Sequence, residues 1–156
     1  MAKIDPIINQ QLDALLFEET NLVANLSNAS ALLKSTIENI NWAGFYLFDS
    51  AQNELILGPF QGNVACMHIK NGSGVCGTAL QEQKIIRVAN VHEFPGHIAC
   101  DSASNSEIVL PLFGKNGSPI GVLDIDSPSL DRFSTEDQTI LTGFRDVLLQ
   151  HIDTVA

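Results

Sequence analysis

The sequence predicts an α+β fold in which an antiparallel β-sheet carries helices on one face. Two observations predict it. Apolar residues recur at helical spacing at both ends of the chain, and the stretch between them reads in short strand-like runs separated by turn residues. The resulting order is helix, helix, strands, short helix, strand, long loop, hairpin, helix, which implies an antiparallel sheet with helices on one face, an α+β sandwich.

Ile7, Ile8, Leu12, Leu15, Leu16, Val23 and Leu26 set the first helical pattern, and a second is expected after Ser27 with Ala31, Leu32, Leu33, Ile37 and Ile40. Residues 42–48 are aromatic-rich strand material, 49–53 a turn and 54–60 the return strand, with another strand expected over 64–68. Gly72 and Gly74 mark a turn into a short helix over 75–81, followed by a strand over 84–88. Residues 89–106 are dense in Asn, His, Ser and Gly, hold Pro95 and show no period. Loops of that length inside a domain are more often functional than not. Residues 107–113 and 118–126 make a hairpin about the turn Gly114-Lys115-Asn116-Gly117. Ser134 is placed to cap the last helix, with Glu136 and Asp137 in the first turn where the helix dipole favours them. Ile140, Leu141, Phe144, Val147, Leu148 and Ile152 supply that helix with an apolar face.

A chain of 156 residues with 45% hydrophobic composition is expected to form a single domain over 1–156. No apolar run approaches the roughly 20 residues that span a bilayer, and the first residues do not resemble a signal peptide, so a soluble cytoplasmic protein is expected. The formal net charge of -10 opposes binding to nucleic acid or anionic membrane, both of which select clustered basic surface.

Chemistry is concentrated in three sets of residues. The first is Cys66, Cys76 and Cys100, an odd count that fits reactive thiols better than a structural disulfide framework. Free cysteine also serves as a small buried hydrophobe. For Cys76 in Gly74-Val75-Cys76-Gly77 the two roles stand side by side: a helix N-terminus lowers a thiol pKa, and a small residue packs between two glycines. The second set is Glu107, Asp124 and Asp126. Strand alternation puts Asp124 and Asp126 on one face, and Glu107 begins the neighbouring strand, so the three line one pocket or form a solvated acidic strand end. Crowded carboxylates raise one another's pKa, which would keep a proton available near neutral pH. The third is Trp42 and Tyr46, the only Trp and Tyr, four positions apart and therefore on one strand face, as an aromatic wall or as core. His92, His97, Cys100 and Asp101 share one loop, but no C-x2-C or H-x3-H pair is present and no metal site is expected. One of these histidines is placed to lower the Cys100 pKa.

Asn41-Trp42-Ala43-Gly44-Phe45-Tyr46, Gly58-Pro59-Phe60-Gln61-Gly62, Gly74-Val75-Cys76-Gly77, Ile125-Asp126-Ser127 and Phe133-Ser134, with the spacing C-x9-C-x23-C, resemble the GAF domain of the free methionine-(R)-sulfoxide reductase type. The likeness runs from about Asn21 to the C-terminus. It implies a GAF-like antiparallel sheet with the N- and C-terminal helices on one face. It implies that Cys100 is the nucleophile and Cys66 the resolving thiol, with Cys76 able to substitute or to take part in secondary exchange. Asp126 and Glu107 would serve as acid catalysts. Trp42, Tyr46, Glu107, Asp124 and Asp126 would bind substrate, with the backbone N–H groups of Ile98 and Ala99 on its carboxylate. No prosthetic cofactor is implied; the reductant is an external dithiol, thioredoxin, and the substrate is free methionine (R)-sulfoxide. A homodimer through the N-terminal helices is compatible with the pattern. GAF domains at large are mostly binding modules, so a small-molecule sensor and a thiol redox sensor without turnover are the competing readings. Against the sensor stands the lack of the N-K-F-D-E signature of cyclic-nucleotide GAF domains.

Overall fold

A computed structural model describes residues 3–98 and 100–153. Six antiparallel strands form one sheet in the order β3-β2-β1-β6-β5-β4. They are β1 (Trp42–Asp49), β2 (Glu54–Gly62), β3 (His68–Lys70), β4 (Ile86–Val88), β5 (Ser106–Phe113) and β6 (Pro119–Ser127), and the helices are α1 (Ile8–Leu15), α2 (Leu22–Thr36), α3 (Gly74–Glu82) and α4 (Thr135–Ile152).

Strand alternation sorts the central strands cleanly. Ala43 and Phe45 of β1, Ile108, Leu110 and Leu112 of β5, and Leu123 and Ile125 of β6 join one buried cluster with Leu12, Leu26, Leu33, Phe144 and Leu148 of α1, α2 and α4. Trp42, Tyr46, Val109 and Val122 from the same strands join a second cluster with Val75, Ala79 and Leu80 of α3. The N- and C-terminal helices therefore share a face, as expected, while α3 covers the opposite one. Those inward side chains are apolar and need a cover, which is why the sheet cannot leave that face to water.

Several boundaries differ from the sequence reading. The second helix, expected after Ser27 and on to Ile40, begins at Leu22 and ends at Thr36, so Ile37 and Ile40 lie beyond it. The first helix does not run on to residue 26: the chain turns over 16–21, and Asn21 caps α2 by accepting the Ala24 N–H at 2.9 Å. Apolar periodicity persists across the turn because Leu16 is buried on both counts of spacing, as a helix flank and as a core residue. The strand expected over 64–68 lies later, at His68–Lys70, because residues 63–66 cross the sheet face instead of pairing along its edge. The strand expected over 84–88 is shortened to Ile86–Val88. At α4, Ser134 and Asp137 form the expected capping box, and the buried Asp137 carboxylate also pairs with buried Arg132 at 3.2 Å. No described helix is long and apolar enough to cross a membrane.

Candidate active site

The centre of the α3-covered face is acidic. Asp126 of β6 pairs in register with Glu107 of β5 on one side and with Trp42 of β1 on the other, and Asp124 sits opposite Gly44. The expected carboxyl set is thus brought together, and with 6–8% exposure it is no solvated strand end. Burial pushes all three carboxyls well above the usual carboxylate range, and each is pushed further by a neighbour: Asp124 by the charge of Asp126, Asp126 by Glu107, and Glu107 by Asp124. Asp124 Oδ1 is buried with no donor among the described residues. Side chains that are acceptors only when ionised can bond to one another here only by sharing protons, so the trio titrates as a unit.

Trp42 and Tyr46 face the same cavity, their rings stacked at 5.9 Å and 22°. Phe60 extends the stack on the far side of Trp42 at 5.1 Å and 15°. Sequence reasoning missed Phe60 as part of the wall, although it lies in the Gly58-Pro59-Phe60 segment; β-alternation alone could not align it, because the β1–β2 register shifts between Gly44 and Tyr46. Gly44 is the site of that approach, since a Cβ there would run into Phe60.

Cys76, in the first turn of α3, is buried beneath the cavity and is a free thiol, its Sγ 3.9 Å from Glu107 Oε2. Burial, then the charges of Asp124 and Glu107, push this thiol well above its ordinary value. The thiolate-lowering effect of a helix N-terminus is outweighed here by desolvation and three acids. Cys66 and Cys100, both half-buried, are joined by a disulfide with a Cα–Cα distance of 5.3 Å. They arrive on two loops, one leaving β2 and one from the long segment before β5.

The second loop is tethered by Asn41, whose side-chain amide donates to Asp101 Oδ2 and Ser104 Oγ, each at 3.1 Å. Asn41 was legible as the first residue of the Asn41–Tyr46 motif, but its partners lie 60 or more residues away. His97 and Ile98 line the cavity beside Cys100 and Asp101. Ala99 lies outside the described residues. Burial and the nearby His92 ring push the His97 pKa down, which disfavours the imidazolium that would lower the Cys100 pKa. His68 and His151 pair instead with Glu54 and Asp13, each at 2.8 Å, away from the cavity. Ligand atoms of Cys76, Glu107 and Asp124 lie within 4.8 Å of one another, the one described grouping close enough to hold a cation, and doing so would require stripping protons from a buried thiol and buried acids.

A sheet flanked by helices on one face, with a ligand cavity under a short helix on the other, is the GAF architecture, and the GAF domain family model matches residues 26–151. The chain is 52% identical to the free methionine-R-sulfoxide reductase of Escherichia coli over 92% of this chain and 83% of that protein. It is 48% identical to the protein of the same name from Saccharomyces cerevisiae, over 79% and 71%. Among solved structures, the reduced form of fRMsr of Staphylococcus aureus superimposes with a TM-score of 0.90 at 48% identity over 100% of both chains. The free methionine-R-sulfoxide reductase of Neisseria meningitidis, in complex with its substrate, superimposes with a TM-score of 0.91 at 42% identity over 95% of this chain and 87% of that one. The chain belongs to the GAF family and, within it, to the free methionine-R-sulfoxide reductases.

Proposed function

We propose that the protein reduces free L-methionine (R)-sulfoxide to L-methionine with Cys100 as nucleophile and Cys66 as resolving thiol. The observation that carries this reading is the Cys66–Cys100 bond at a cavity floored by three buried acids and walled by Trp42 and Tyr46. The Cys100 thiolate attacks the sulfoxide sulfur while Asp126 or Glu107, held protonated by burial, delivers a proton to the oxygen. Oxygen passes to Cys100 as a sulfenic acid and methionine departs. The Cys66 thiol then attacks the Cys100 sulfur, the S–O bond breaks, water leaves and the disulfide forms. An external dithiol, thioredoxin in kind, reduces that disulfide through a mixed disulfide, so its two electrons end on the methionine sulfur. No prosthetic group enters this sequence.

Asp124 and its acidic neighbours neutralise the substrate α-ammonium, the Trp42 and Tyr46 rings pack on its methyl and sulfur, and the backbone N–H group at Ile98 meets its carboxylate. Cys76 is a further thiol of the site, able to substitute in exchange only after losing its buried proton. The same reading makes residues 1–156 one cytoplasmic domain, and exposed Ile7, Leu15 and Val23 on the N-terminal helices support a homodimer. The test is to incubate the reduced protein with free methionine (R)-sulfoxide and dithiothreitol and to assay methionine. Repeated turnover is expected; no methionine above the protein-free control would leave a binding module or a thiol sensor.

A further inference from the structure

The segment that carries Cys66 belongs to no helix or strand, yet it is held at both ends by the aromatic wall. Trp42 Nε1–H donates to the Asn63 carbonyl at 3.1 Å, and the Tyr46 hydroxyl donates to the carbonyl of Cys66 itself at 2.9 Å. Both donors are anchored deep in β1, with 2% exposure each, whereas Val64 between the two acceptors is 87% exposed and contributes almost no packing. Gly62 starts the segment at φ 142°, and a Cβ there would stand 2.5 Å from Trp42 Cδ1, so the chain leaves β2 by folding directly over the indole.

We propose that Tyr46 and Trp42 are positioning residues for the resolving thiol, their two hydrogen bonds fixing residues 63–66 where Cys66 reaches Cys100. This rests on the assignment of Cys66 and Cys100 above and goes beyond it: the wall that meets the substrate methyl also presets the second half of the cycle. Ala65 and Cys66 pack partly against the apolar cluster on this face, and the Leu57 N–H holds the Met67 carbonyl just beyond them. The two hydrogen bonds from the wall act on the Asn63 and Cys66 carbonyls themselves, and each adds a directional bias toward the closing-competent position. Burial and the charge of Asp124 raise the Tyr46 pKa, so the hydroxyl keeps its proton and remains a donor throughout the working pH range.

The test is the thiol–disulfide equilibrium of the Cys66–Cys100 pair in glutathione buffers, read by peptide mapping in wild type, Tyr46→Phe, Trp42→Phe and Val64→Ala. No sulfoxide is present, so substrate binding does not enter the reading. Tyr46→Phe and Trp42→Phe are each expected to lower the closure constant roughly fivefold, the bias of one net hydrogen bond, while Val64→Ala leaves it unchanged. A constant unchanged in Tyr46→Phe, or lowered equally in Val64→Ala, overturns the proposal. Thermal unfolding of the reduced proteins shows which variants are folded, and Tyr46→Phe, which removes a single oxygen, stands if Trp42→Phe fails to fold. Wild type forming no Cys66–Cys100 bond would instead overturn the underlying assignment of the resolving thiol.

Discussion

Blocking the substrate's amino group tests the acidic pocket directly. N-acetyl-methionine (R)-sulfoxide keeps the sulfoxide, the side chain and the carboxylate, and replaces an α-ammonium with a neutral amide. Glu107, Asp124 and Asp126 are only 6–8% exposed, so an ion pair formed there belongs to the buried regime and not to the surface regime of about 0–1 kcal/mol. Leaving one partner of a buried charge pair unmatched costs about 2 to 5 kcal/mol. At ~1.4 kcal/mol per decade this is a preference of roughly thirty-fold to several thousand-fold in kcat/KM for the free amino acid. The raised carboxyl pKa values add a direction. At low pH the trio is protonated and has no charge to satisfy, so the preference should be smallest there and grow as pH rises and the pocket gives up protons. Loss of the general acid with rising pH slows both substrates alike and cancels in the ratio. Steady-state kinetics with both (R)-sulfoxides across pH measure it. Equal kcat/KM for the two, or a ratio that falls as pH rises, would refute an ammonium-binding role for the acids.

Cys100→Ser should abolish methionine formation even with excess dithiothreitol, because no other thiol occupies the nucleophile's place; retained turnover sinks that assignment. Cys66→Ser should lose most thioredoxin-supported activity while a small thiol that reaches the Cys100 sulfenic acid sustains turnover, and equal loss with both reductants would give Cys66 another role. Asp124→Asn should raise the Tm of the disulfide-bonded protein at pH 8 by a few °C, at ~2–4 °C per kcal/mol for a chain of this size. The sign follows from a raised folded-state pKa: the native state holds a proton the unfolded chain has lost, so wild-type stability falls as pH rises from about 3.9, the unfolded Asp value, toward the folded one. The variant's advantage should therefore shrink toward pH 4, and an advantage constant with pH would dissociate it from titration of this carboxyl.

What was legible in the sequence was whatever a local period determines. The two-residue alternation of β6 put Asp124 and Asp126 on one face, and the short hairpin turn brought Glu107 beside Asp126. The same rule paired Trp42 with Tyr46, and the Ser134 cap followed from side-chain chemistry within one turn. The misreadings have two causes, a local cap signal that was masked and partners distant in sequence. The break before α2 depends on Asn21, a cap signal masked by apolar residues that continue on both sides of it. Residues 63–66 carry strand-like side chains but are drawn off the sheet edge by donors on β1 some 20 residues earlier. The low-pKa alternative for Cys76 came from its place on α3, whereas its state is set by acids on β5 and β6 that a helix-by-helix reading does not bring near.

The two loops and the sheet divide the chemistry for a physical reason. The groups proposed for recognition, the three acids and the two aromatic rings, stand on β1, β5 and β6, whose side-chain directions are locked because a one-residue slip would turn each of them to the opposite face, against the apolar cluster under α1, α2 and α4. That rigidity suits a pocket that must keep carboxyls desolvated, and the large apolar cluster on the helical face stabilises the sheet against their burial. Disulfide chemistry makes the opposite demand. In the proposed cycle Cys100 meets in turn a sulfoxide, the Cys66 thiol and an external thiol, and no single fixed geometry serves all three. Both cysteines of the disulfide lie on loops outside the sheet register, while Cys76, the one thiol built onto a packed helix facing the sheet, is the one left out of the bond.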